Sequence, residues 1–185
     1  MKKYLKPALV LLVICLCAAT VLAVVNGLTA QKIAENAAAA ENAAISGIFG
    51  EGITVSEVGN IPDGVKKIYV VTRGSDALGW CVSVSPNGFG GNIDMVVGIS
   101  ADREIVGIII TALSETPGLG SRVADPLYLA GYEGLSGNLR LGEEIDAISG
   151  ATISSRSVLA GVNRALDAVS SRSARADAAS AGGAR

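Results

Sequence analysis

The stretch NIDMVVGISADREIVGIIITAL, Asn92 to Leu113, decides the fold. Two runs rich in Val and Ile, Asn92 to Ser100 and Glu104 to Leu113, are joined only by the short polar Ala101-Asp102-Arg103. β-branched residues favour extended backbone, and so short a link turns the chain straight back, so the two runs are expected to form an antiparallel hairpin. Toward the N-terminus, KKIYVVTR (Lys66 to Arg73) and LGWCVSVSP (Leu78 to Pro86) repeat that composition between turns and extend the expected sheet.

C-terminal to the hairpin the pattern becomes helical. A short helix is expected near Asp125 and Pro126, because proline is tolerated in a first helical turn. From Ser154 to Val169 the apolar Val158, Leu159, Val162, Ala165, Leu166 and Val169 line one side of a helix. The expected class is therefore α+β: an antiparallel sheet with flanking helices, spanning residues 51–170. Beyond it, residues 171–185 carry no apolar face and are expected to be a disordered tail.

The other end of the chain is apolar. No charged residue lies between Lys6 and Lys32, and at about 1.5 Å per helical residue that stretch crosses a hydrocarbon core of about 30 Å. Residues 1–31 are read as a cytoplasmic N-terminus and a retained transmembrane helix. A cleaved signal peptide is the competing reading, but its apolar region usually runs only about 7 to 15 residues. Lys2, Lys3 and Lys6 precede the helix, so the positive-inside rule puts them in the cytoplasm and the domain on the other side. The alanine-rich residues 32–50 are expected to continue as a helical stalk ended by Gly47 and Gly50.

Composition removes whole classes of function. The chain has 185 residues, room for one domain with appendages, and a net charge of -2 without a basic patch, which argues against nucleic acid. Histidine is absent, and with it the usual general base and the commonest zinc ligand. Of the three cysteines only Cys81 lies in the domain, where a strand places it in the core; no disulfide, catalytic residue or metal site is expected.

Three stretches remain as candidate sites. DAISGATISS, Asp146 to Ser155, is a turn feeding a helix N-terminus, where free backbone N–H groups favour an oxygen acceptor or an anion. A capping hydroxyl on Thr152 accounts for it; a phosphate fits the same place, with Gly150 and Ala151 leaving the approach open. SETPGLGSR, Ser114 to Arg122, follows the last strand, and its Glu115 and Thr116 either begin a simple connection or face a ligand's polar edge. Gly88, Gly90 and Gly91 around Phe89 read as a glycine-rich hairpin, because a strand rather than a helix follows them.

Together and in this order, these stretches resemble the covalent-FMN domain of the G subunit of Rnf-type electron-transport complexes, and the similar domain of the C subunit of the sodium-translocating NADH:quinone reductase. The attachment pattern Asp-x-x-(Ser/Thr)-Gly-Ala-(Thr/Ser) reads here Asp146-Ala-Ile-Ser149-Gly150-Ala151-Thr152. Glu115 to Gly120 and Gly88-Phe89-Gly90-Gly91 also match, as does the N-terminal anchor. Phe89 stands where tyrosine is common, and Arg122 where lysine is expected.

The resemblance implies one covalent FMN, its phosphate esterified to Thr152, with Ser149, Gly150 and Ala151 holding the attachment turn. It places Glu115, Thr116, Leu119 and Gly120 near the flavin ring, and makes Asp146 part of the turn recognised by an FAD:protein FMN transferase that uses magnesium. It implies an electron-carrying subunit of a plasma-membrane complex coupling ferredoxin:NAD oxidoreduction to sodium or proton movement, rather than a complete enzyme. The implied partners are the other membrane subunits, including a second one carrying covalent FMN. Two alternatives stay open: a free-standing flavoprotein of an extracellular electron-transfer or reductase system, and a non-redox binding domain with a vestigial motif.

Overall fold

The computed structural model describes the backbone of residues 2–182 and the side chains of residues 6–172. The chain divides into two compact units, Met1–Ala40 and Glu41–Arg185. The first is helical, part of α1 (Lys2–Phe49). Its apolar side chains, Leu9 to Leu28, are exposed, and among the described residues α1 is the helix long and apolar enough to cross a membrane. A helix that is apolar all round and unburied needs an apolar solvent.

In the second unit five antiparallel strands lie in sequence order: β1 (Thr54–Glu57), β2 (Val65–Arg73), β3 (Asp76–Val84), β4 (Ile93–Ser100) and β5 (Ile105–Leu113). The β4–β5 hairpin expected from the sequence is present, pairing Ile93 with Leu113 at its open end. The short β1 was not expected. Its four residues are all exposed, so its pairing with β2 leaves no apolar pattern to read.

Helices cover both faces of this sheet. On one, Ile68, Val82, Val84, Ile93, Met95, Val97 and Ile99 meet Val158, Leu159, Val162, Ala165, Leu166 and Val169 of α3 (Thr152–Gly182), with Leu129 of α2 (Pro126–Ala130) beside them. On the other, Tyr69, Val71, Cys81 and Val96 meet Ala44, Ile45, Ile48 and Phe49 from the last turns of α1. Strands buried on both faces need apolar residues at successive positions, which is why β4 and β5 read as continuous runs. The residues of the expected stalk from Glu41 to Phe49 therefore form part of the domain. α1 stops where Gly50, at φ 81°, takes the left-handed conformation open to glycine.

The apolar stripe of α3 ends at Val169 as expected, but the helical backbone runs on to Gly182 where an unstructured tail is expected. Alanines at 174, 176, 178 and 179 supply intrinsic helix propensity. The rest of the expected tail, residues 183–185, lies outside the described residues.

Two features of the α1 face are testable. A Cβ on Gly98 would collide with Ile48, so β4 accepts the helix only because position 98 has no side chain. Gly98→Val is expected to lower the unfolding free energy by about 1–3 kcal/mol in urea titrations, the usual cost of overpacking. On the same face Glu41 accepts hydrogen bonds from Lys67 Nζ and Tyr69 Oη, both at 3.1 Å.

Burial, then the nearby Glu41 charge, pushes the Cys81 thiol up to about 12, and burial also raises Tyr69. Groups whose pKa is raised by folding stabilise the protein below their unfolded values and lose that contribution as pH climbs through the folded ones. Stability should thus fall from about pH 9 upward, and Cys81 should resist alkylation at neutral pH until the domain unfolds.

Candidate functional site

The β4–β5 register builds the site. Because Ile93 pairs with Leu113, the loop entering β4 and the loop leaving β5 emerge side by side. Gly88 to Gly91 lie directly against this second loop: Cβ atoms at Gly88, Gly90 and Gly91 would meet Glu115 Oε1, Ser114 O and Ser114 Cβ. The entering loop closes on itself through Gly88 N–H to Gly91 O at 2.7 Å and a bridge between Asn87 and Asn92, the glycine-rich hairpin expected.

Glu115 latches the two loops together. Its Oε1 accepts the Phe89 N–H at 2.7 Å and its Oε2 the Gly90 N–H at 3.3 Å. A side chain at Gly120 would strike the same carboxylate. Glu115, which the resemblance puts near a flavin ring, lies between these loops with its carboxylate engaged by backbone amides. After it, Thr116 O accepts from Leu119 N–H and Ser121 N–H, Gly118 N–H donates to Ser121 Oγ at 2.8 Å, and a 3-10 turn, Gly120–Ala124, follows. Leu119 is left half-exposed.

The start of α3 is the third component. Ala151 O accepts the Ser155 N–H at 2.9 Å, the first bond of the helix, so Ala151 occupies the cap position and Thr152 is the first helical residue. The helix begins at Thr152, two residues before the Ser154 start expected. Alanine is a poor cap because it offers no side-chain acceptor. Among the described residues no hydrogen bond reaches the N–H groups of Thr152, Ile153 or Ser154, and none uses the exposed Thr152 hydroxyl. The capping account of Thr152 is therefore replaced.

Ser155 stabilises this turn, its Oγ accepting the Ile148 N–H at 3.1 Å, together with an Ala151 N–H to Ile148 O bond at 2.9 Å. Ser157 Oγ donates to Asn87 O at 2.6 Å and ties α3 to the glycine loop. Gly150, at φ 81°, turns the chain under Leu119, whose Cδ1 would lie 3.0 Å from a Cβ there.

These components enclose a cavity of about 250 Å3. Phe89, Leu119 and Ile153 are its exposed apolar walls; Glu115, Thr116, Gly120, Gly150, Ala151, Thr152 and Ser154 complete it. Of the residues singled out from sequence, Ser149 and Asp146 stay outside the lining, exposed on the approach to α3. Phe89, Ile153 and Ser154 line it without having been predicted to. Phe89 lay inside a recognised motif, whereas nothing in the sequence separates Ser154 from its serine neighbours.

Residues 88–167 match the FMN-binding domain, and residues 1–48 match the RnfG N-terminal region. The G subunit of the Na+-translocating ferredoxin:NAD+ oxidoreductase complex of Acetobacterium woodii is 31% identical over 189 residues, 89% of this chain and 91% of that protein. The chain belongs to the RnfG family. A second relative in that family, the G subunit of the ion-translocating oxidoreductase complex of Methanosarcina acetivorans, is 34% identical over 66% of this chain and 68% of that protein. The crystal structure of NqrC from Shewanella oneidensis is similar at a TM-score of 0.45 and 24% identity, over 58% of this chain and 62% of that one. Within this RnfG chain the FMN-binding segment begins at Gly88, so it holds both loops and the start of α3.

If Glu115 is the latch, Glu115→Ala leaves the Phe89 and Gly90 amides without their acceptor. Hydrogen exchange across residues 87–92 should then accelerate by about fivefold or more, in line with a local loss of about 1–3 kcal/mol, while exchange in β2 and β3 holds.

Proposed function

We propose that this protein is a membrane-anchored flavoprotein that relays electrons in an ion-translocating ferredoxin:NAD oxidoreductase complex, with FMN esterified through its phosphate to Thr152. One observation carries the tether: an exposed, unbonded threonine hydroxyl stands at the mouth of the cavity, beside three unpaired N–H groups at a helix N-terminus. Such a helix end favours a phosphate through both its hydrogen-bond donors and its dipole. Formation of the ester is a transfer from FAD. The Thr152 oxygen bonds to the FMN phosphorus, the bond to AMP breaks, AMP leaves, and the hydroxyl proton is lost to the transferase or water.

The residues present fit this group. The helix N-terminus neutralises the ester's remaining charge, Gly150 and Ala151 leave the phosphate unobstructed, and Phe89, Leu119 and Ile153 offer apolar surface to an aromatic ring. Bound FMN supplies redox chemistry that no side chain here can provide, since its ring is untouched by attachment through the phosphate. A volume of about 250 Å3 is below the about 300–1,000 Å3 of most ligand pockets. Phe89, Leu119 and Ile153 would therefore cover an FMN only in part, which would suit electron exchange with other subunits.

Asp146 and Ser149, exposed beside the tether, suit recognition by an FAD:protein FMN transferase. The N-terminal lysines favour a cytoplasmic N-terminus, with the FMN domain on the periplasmic or extracellular side of the plasma membrane. The partners are the other membrane subunits, among them a second one with covalent FMN.

Thr152→Ala, coexpressed with the transferase, should abolish in-gel flavin fluorescence completely. Because the hydroxyl holds nothing in the fold, its stability should stay within about 0.5 kcal/mol of the parent. Covalent flavin retained in that variant would sink the assignment.

A further inference from the structure

We infer that the Ser154 hydroxyl is a binding group for the ribityl arm of the flavin, an inference that rests on the proposed attachment at Thr152. Ser154 is only 1% exposed and lines the cavity. Among the described residues no hydrogen bond uses the Ser154 Oγ, and the fully enclosed side-chain polar atoms without a partner are Ser85 Oγ and Arg172 Nε. The little surface that Ser154 keeps therefore lies at its hydroxyl, in the cavity it lines, where a ligand can supply the partner that buried hydroxyls require. Its neighbours differ: Ser155 receives the Ile148 N–H, and Ser157 donates to Asn87 and Ile153 carbonyls. Of these three serines, Ser154 is the one whose hydroxyl contributes no bond to the fold.

Its position indicates what it would bind. A Cβ at Gly120 would stand 3.0 Å from the Ser154 Oγ and would also strike Glu115, so the hydroxyl lies where α3 meets the loop after β5. Thr152 precedes it by two residues, about 3 Å along the helix axis and on a different face. Thr152 is exposed whereas Ser154 points into the cavity lining.

A ligand held by its phosphate at Thr152, with its ring against Phe89, Leu119 and Ile153, must carry its middle past Ser154. The middle of FMN is a chain of hydroxyls. Each can donate to or accept from the serine hydroxyl, so the pairing needs no particular proton arrangement. Glycine at 120 keeps this passage open.

Full-length protein and its Ser154→Ala variant, each prepared with and without the flavin transferase, test the inference. Intact mass first reports FMN on the parent; its absence there overturns the tether, and this inference with it. With both proteins loaded, the apo variant should be at least as stable as the apo parent. The rise in Tm on loading should shrink by about 2–4 °C, and the NMR resonances of 13C-labelled ribityl carbons should move while the benzenoid ring carbons stay. An unchanged rise in Tm with unmoved ribityl resonances overturns the inference and leaves the tether standing. Should the alanine variant fail to fold, Ser154→Cys, close in volume and a weaker donor, carries the same expectations, and its failure to fold as well would show that the hydroxyl serves the fold.

Discussion

The site depends on one backbone constraint, the antiparallel pairing of Ile93 with Leu113 at the open end of the β4–β5 hairpin. That pairing delivers the glycine loop and the Glu115 loop to the same end of the sheet, close enough that three glycines must forgo side chains. Glu115 then converts proximity into fixed geometry, spending its carboxylate on two backbone amides. A slip by one residue would turn every strand side chain to the opposite face and separate the loops. The apolar pattern of both strands, buried by helices on each side, therefore specifies the site as well as the core.

Against this rigid base the beginning of α3 is left incomplete in its hydrogen bonding. A serine or asparagine at position 151 would satisfy a helix amide and favour the helix by about 1 kcal/mol. Ala151 does not, and the amides after it remain available. The turn is instead held from behind by Ser155 and tied to the glycine loop by Ser157. Local stability at the helix start has been relinquished where an anionic group would restore it, a pattern characteristic of functional sites.

Much of this was legible in the sequence, for identifiable reasons. Long Val- and Ile-rich runs and one-sided helical spacing marked β2 to β5 and the apolar part of α3. The lack of charge between Lys6 and Lys32 marked the N-terminal helix. β1 was illegible because its residues are all exposed and only its backbone pairs. The run of α1 from Glu41 to Phe49 packs through Ile45, Ile48 and Phe49 beside Ala44, but these few large residues follow an alanine-rich stretch whose composition suits a solvated helix equally well. At the site, the motifs located the attachment turn and the loop after β5. They did not show that Glu115 faces backbone, that Ser155 rather than Thr152 supports the turn, or that Ser154 is buried. The first and third arise from packing between residues far apart in the chain, and the second from the particular path of the turn from Ile148 to Ser155; neither is recorded in a local pattern.

The central claim is that the uncapped start of α3 is a flavin tether with Thr152 as its attachment point. Fragmentation mass spectrometry of the peptide containing Thr152, taken from protein in its native membranes, tests this most directly. The account predicts a modification equal to FMN less one water, localised to Thr152. An unmodified peptide, or the same mass on Ser149, Ser154 or Ser155, would contradict it.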